Sequence, residues 1–166
     1  TWQQKNNGIA GKEPFAWRII RRETDGVLFL IVNRRSDDGS IGNELDGALY
    51  RSDDGAETWR KISLPEGSNA PMGLALDPEH PGRLIMSAWG RVTPEPFSPD
   101  IGGGIFVSDD EGKSWTAVLS RDQHMHDITY DPRIKTFYAC GFTGSAYKSL
   151  DAKKWDRIPG YNFKWG

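Results

Sequence analysis

Ser108-Asp109-Asp110-Glu111-Gly112-Lys113-Ser114-Trp115 is the stretch whose reading decides the fold. It has the form S-x-D-x-G-x-S-W, and two relatives lie near it: Ser52-Asp53-Asp54-Gly55-Ala56-Glu57-Thr58-Trp59 and Ser149-Leu150-Asp151-Ala152-Lys153-Lys154-Trp155. Each follows a short apolar run (ALYR, IFVS, AYKS) and leads into another (WRKI, WTAVL, WDRI). The Ser and Asp side chains suit a turn, because they hydrogen-bond backbone groups that a tight turn leaves unpaired. Gly112 supplies a position where φ can be positive, and the Trp offers a large apolar area to bury. The first copy has Ala56 where Gly is expected, with Gly55 one place early. The third is one residue shorter and has no Gly.

Working outward, Thr1-Trp2 matches the last two positions of the motif, so Trp2, Trp59, Trp115 and Trp155 recur at roughly fifty-residue intervals. The four read as packing residues. Around them fall three sets of four short strands: 17–23, 27–33, 48–52 and 59–62; 72–77, 84–89, 104–108 and 115–119; 126–131, 136–141, 146–149 and 155–158. The turns TDG, DPEHPG and DPRIK separate the first two strands of each set. Asp77 and Asp131 read as turn residues at equivalent positions. No segment keeps a helical period. The expected architecture is all-β, with blades over 17–62, 72–119 and 124–158. Residues 1–16 read as the tail of a preceding blade and 162–166 as the start of a following one. Three such units leave a ring open, since propellers use about four to eight.

Composition narrows the function classes. Net charge is −2, from 21 basic and 23 acidic residues, which gives no general attraction to nucleic acid or anionic membranes. No apolar run is long enough to span a bilayer. The single Cys140 excludes an intrachain disulfide and reads as a buried core thiol in FYACGF.

If the S-x-D hairpins join third and fourth strands, they share a side with the first turn of each set. The opposite side then carries the long connections, 34–47 and 90–103, where binding residues are expected. Arg34 and Arg35 end a strand there, as do Trp89 and Arg91. His124, His126 and Asp127 open an inner strand. The two histidines share a face and suit metal binding or proton transfer, or a wet channel mouth; Asp127 points the other way. Trp89, Phe97, Phe142 and Tyr161 are aromatics near that side, suited to stacking on sugar rings or to anchoring loops. Asp37, Asp38, Glu44 and Asp46 form either a Ca²⁺ site of oxygen ligands or a solvated acidic loop. No other cofactor is expected.

The S-x-D-x-G-x-S-W copies resemble the Asp-box, or BNR repeat, of one large class of β-propellers. In that resemblance Ser52, Asp54, Trp59, Ser108, Asp110, Gly112, Trp115, Ser149, Asp151 and Trp155 are structural. GLALDPEHPGRLIMSAWG with GGGIFVSDDEGKSW, and HDITYDPRIKTFYACGF with SAYKSLDAKKW, are similar to blades of glycoside hydrolase family 74 xyloglucanases, sortilin-type domains and BNR-containing bacterial proteins. The resemblance covers nearly the whole chain. It implies a carbohydrate-active propeller, extracellular or periplasmic, that binds or hydrolyses a polysaccharide; if an enzyme, a glycoside hydrolase. The xyloglucanase type implies two catalytic Asp residues in an open cleft, and no position here matches them. The sialidase pattern is disfavoured because no F/Y-R-I-P motif occurs. The alternative is a non-catalytic propeller for protein interaction or assembly. The expected partners are a glycan and the remaining blades, on the same parent chain or another.

Overall fold

The computed structural model describes residues 1–11, 15–34, 47–68, 70–90, 102–119, 124–141 and 146–160, and the side chain of Arg34 lies outside that set. Twelve strands are present among them: β1 (Phe15–Arg21), β2 (Leu28–Arg34), β3 (Ala48–Ser52), β4 (Arg60–Ile62), β5 (Pro71–Leu76), β6 (Leu84–Ala88), β7 (Gly104–Ser108), β8 (Thr116–Ala117), β9 (Met125–Asp131), β10 (Thr136–Gly141), β11 (Ala146–Ser149) and β12 (Asp156–Arg157). They form three antiparallel sheets in the orders β1-β2-β3-β4, β5-β6-β7-β8 and β9-β10-β11-β12. No helix interrupts them among the described residues. The expected all-β architecture of four-stranded propeller blades is therefore the observed one. The outer strands β8 and β12 are shorter than the sequence suggested, because their residues lie mostly exposed and bury little apolar area.

Strand alternation explains how the sheets stack. From the first sheet, Phe29, Ile31 and Leu49 face one way and meet Leu84, Met86 and Phe106 of the second. The second sheet turns Ile85, Ile105 and Val107 the other way, onto Ile128, Phe137 and Ala139 of the third. Each fully buried side chain of this kind is worth about 1.5–3 kcal/mol relative to exposure. The outer side of the first sheet is covered by the chain itself: Ile9 packs on Leu30, Val32 and Tyr50, and Ala10 N–H donates to the Tyr50 hydroxyl at 3.1 Å.

Two sequence expectations fail here. Cys140 is exposed, not a core thiol. Phe137 and Ala139 take the inward places on β10, so the alternation turns Tyr138 and Cys140 onto the sheet's other face, which no further sheet covers among the described residues. Trp2 is fully exposed, whereas Trp59 is buried and Trp115 and Trp155 half-buried. The Trp59 indole donates to Lys5 O at 2.9 Å and that of Trp115 to Ser63 O at 2.8 Å, each reaching the chain segment that leads into its own sheet. Trp155 donates locally, to Ala152 O.

The hairpin motif is a hydrogen-bonded unit. Ser108 Oγ donates to Asp110 Oδ1 at 2.7 Å and accepts from Gly112 N–H at 2.7 Å, and Asp110 accepts from the N–H and hydroxyl of Ser114 at 2.9 and 2.6 Å. Ser52, Asp54, Ala56 and Thr58 repeat the pattern. These bonds hold Asp54 and Asp110 at about 2. In the shorter third copy, Asp151 accepts instead from Lys153 and Lys154 N–H. The positive φ expected of Gly112 is taken by Ala56 and Ala152 in the other copies. Gly112 also has no room for a side chain, since a Cβ would lie 2.3 Å from Ile62 of the first sheet.

The hairpins and first turns share one end, as expected. Glu111 N–H donates to Gly82 O at 2.9 Å, and Arg83 pairs with Asp109 at 2.6 Å. Charges also cross between sheets there. Glu111 meets Arg22 at 2.8 Å and Arg51 at 2.7 Å, and Lys153 meets Asp109 at 2.8 Å. Burial alone would raise the Glu111 carboxyl, but the two guanidinium groups outweigh it and hold it below the usual range. Asp77 closes its own turn by accepting Glu79 N–H and pairing with Arg83, and Asp131 accepts Arg133 N–H, so both are turn residues.

Candidate functional site

The end opposite the hairpins holds a cavity of ≈ 450 Å³ lined by Phe15, Trp17, Asn33, Ala70, Met72, Trp89 and His126. Its construction follows from a repeated backbone irregularity. In β1, Ala16 pairs with Val32 and Arg18 with Ile31, so Trp17 is an extra residue in the ladder. In β5, Pro71 pairs with Ala88 and Gly73 with Ser87, which makes Met72 the extra residue. In β9, Met125 pairs with Gly141 and Asp127 with Cys140, and the extra residue is His126. A β-bulge re-aims the side chain it carries. Three bulges at matching positions thus send Trp17, Met72 and His126 into one cavity. Asn33 is the compensating irregularity on β2, skipped between Val32 and Arg34.

Trp89 follows β6 and is fixed by its N–H, which donates to Ala70 O at 2.9 Å. Its ring meets His124 edge-on, with centroids 4.8 Å apart and an interplanar angle of 79°. Burial holds the His124 imidazole below its ordinary value, and the charge of His126 adds to this. A neutral imidazole there can donate one hydrogen bond and accept another. The cavity therefore combines two indoles, a phenyl ring and a thioether with an amide and an imidazole. That is the chemistry of a site that stacks on apolar ring faces and hydrogen-bonds polar rims.

Of the residues singled out in the sequence, Trp89 and His126 line the cavity and His124 packs against Trp89. Asp127 points the other way, as expected, and its carboxylate binds the Arg18 guanidinium. Arg34 ends β2, but only its backbone is described. Arg35, Arg91, Phe97, Phe142 and Tyr161 lie outside the described residues, as do Asp37, Asp38, Glu44 and Asp46 of the candidate Ca²⁺ loop. Among the described residues no group of three or more His, Cys, Asp or Glu is arranged to hold a metal ion. The sequence reading missed Phe15, Trp17, Asn33, Ala70 and Met72. A signal existed for Trp17: it opens the first inner strand on the same side as His126 opens the third.

No family model matches the chain. Over 77 residues, 44% of this chain and 8% of the relative, it is 32% identical to an oligoxyloglucan-reducing end-specific xyloglucanase of Emericella nidulans. A GH74 enzyme from Niastella koreensis superposes with a TM-score of 0.59 at 20% identity, covering 86% of this chain and 23% of that one. An ancestral GH74 enzyme gives 0.57 at 17% identity, over 87% and 18%. The GH74 xyloglucanase from Xanthomonas campestris gives 0.54 at 18% identity, over 82% and 22%. The chain thus spans less than a quarter of each of these proteins, and the structural likeness shows that its three sheets are β-propeller blades.

Proposed function

We propose that this chain is part of a carbohydrate-active Asp-box propeller, extracellular or periplasmic, and that the bulge-lined cavity binds a glycan. The observation that carries the reading is the convergence of Trp17, Trp89 and Phe15 with His126 and Asn33 at the end away from the hairpins. Sugar rings present an apolar face and a polar rim, and such a lining matches both. The xyloglucanase named among the relatives points to xyloglucan as the ligand. In this reading the Ser-Asp-Trp hairpins are scaffold.

Hydrolysis needs two carboxyl groups about the scissile bond, roughly 5–10 Å apart. The described lining supplies none, and Asp127 is engaged by Arg18. The geometry therefore supports binding, with any acid–base pair contributed from outside the described residues. Isothermal titration with a xyloglucan-derived oligosaccharide tests it. Trp17→Ala and Trp89→Ala should each weaken binding about 3- to 10-fold, as expected for one stacking contact, with Tm close to wild type for the exposed Trp17. Wild-type chain that ignores the oligosaccharide, or variants that bind it as well as wild type, would refute the reading. Retention of a protein partner in place of the glycan would favour an interaction propeller.

A further inference from the structure

Each bulge residue is followed by one that does not line the cavity. These three are Arg18, Gly73 and Asp127, paired in register with Ile31, Ser87 and Cys140. They form a layer behind the site. Both Nη atoms of Arg18 donate to the two Asp127 oxygens, one of them at 2.8 Å. Two parallel charge-assisted bonds fix orientation as well as distance. Asp127 also accepts Ile128 N–H at 2.7 Å. The pair joins the first sheet to the third, and the second is shaped to let it pass. A Cβ on Gly73 would lie 2.9 Å from Asp127 Oδ1, 2.6 Å from Ser87 Oγ and 2.8 Å from Ile128 N.

Stability gives little reason for this arrangement. Arg18 and Asp127 side chains are 34% and 40% exposed, and solvated pairs contribute little. Position gives a better reason, because Trp17 and His126 are one peptide away from the two partners. We propose that Arg18 and Asp127 are a positioning pair which, passing over Gly73, sets how far apart the Trp17 and His126 walls of the cavity stand. The cavity's use as a glycan site is the reading given above, and only the binding arm of the test rests on it.

The test uses the full chain labelled with fluorotryptophan, with the Trp17 resonance assigned through Trp17→Phe. Arg18→Met and Asp127→Asn should each shift that resonance and weaken binding of a xyloglucan-derived oligosaccharide about tenfold. The swap Arg18→Asp with Asp127→Arg should restore both. Lys135→Gln breaks the Lys135–Glu79 pair between the third and second sheets at the far end, and should leave both readouts alone at a similar Tm. If Arg18→Met does not fold, Arg18→Lys, which keeps the charge but loses the fork, is read in the same way. A Trp17 resonance unmoved in the single variants, or moved equally by Lys135→Gln, overturns the proposal. If the resonance moves and is rescued while wild type binds no oligosaccharide, the positioning role stands and the glycan reading falls.

Discussion

The two ends of the three sheets repeat in different ways. At the hairpin end the side chains recur: Ser52, Ser108 and Ser149 each bond an Asp two residues on, and ion pairs join one sheet to the next. At the cavity end the backbone recurs and the side chains do not: three matching bulges carry Trp, Met and His. A motif that must close the same turn three times keeps its chemistry. A bulge that only aims a side chain leaves that side chain to be set by what it meets. The difference teaches that in this chain the hairpin end repeats its residues and the cavity end repeats its backbone geometry.

The contrast breaks most easily at Glu111. It occupies a left-handed position, φ 60°, where the first hairpin has Gly55. What it gains there is contact with Arg22 and Arg51, both buried and both lying over Phe29. Glu111→Gln should cost about 2–3 kcal/mol, less than the loss of a sole partner because Asp25 and Asp53 remain. Chemical denaturation measures this, and a loss below about 0.5 kcal/mol would make the inter-sheet pairs decorative.

The next effect distinguishes the copies of the hairpin. Ser108→Ala removes a buried hydroxyl with 2.7 Å bonds to Gly112 N–H and Asp110, and should cost about 1–2 kcal/mol. Ser149→Ala should cost less, about 0.5 kcal/mol, because its contacts are 3.2 and 3.3 Å. Equal costs in denaturation would mean that the third turn is held as tightly as the second. The same turns set the acid response. Asp54 and Asp110 sit at about 2, held there first by the hydroxyls of Thr58 and Ser114, against an ordinary 3.8. Carboxylates depressed in the folded state contribute stability above the unfolded value and lose it as pH falls through the folded one. Tm should therefore fall as pH drops from about 4 to about 2, and Asp110→Asn should flatten that fall.

The smallest change is a gain. Ala56 holds φ 73° where the second hairpin has Gly112. Ala56→Gly relieves a left-handed strain that costs about 1 kcal/mol, offset in part by the freedom Gly gains when unfolded. A net stabilisation of about 0.5 kcal/mol is expected in the same denaturation series. A loss would show that the Ala56 methyl, packed against the cluster that holds Tyr50 and Trp59, matters more than its backbone.

The sheets were legible because their signals are local. Ser-x-Asp, the DP turns and alternating apolar residues each act within a few positions, and they located the strands and the end on which the hairpins lie. Glycine at the left-handed position was less legible, since Ala56 and Ala152 adopt that conformation without it. The site was half legible. Trp89 and His126 stood out as an aromatic and a histidine at strand ends. Trp17 and Met72 did not, because an apolar residue in an inner strand reads as core unless the bulge is known. Arg18 lies 109 positions from Asp127, and no spacing rule connects them.

The most direct test of the division between scaffold and site is a paired titration with a xyloglucan-derived oligosaccharide. Trp17→Ala alters a bulge residue, and Lys153→Gln removes the pair with Asp109 at the hairpin end. The account predicts binding by wild type and by Lys153→Gln alike, and binding weakened several-fold in Trp17→Ala at unchanged Tm. Binding that survives Trp17→Ala but falls with Lys153→Gln would place the ligand at the hairpin end and contradict it.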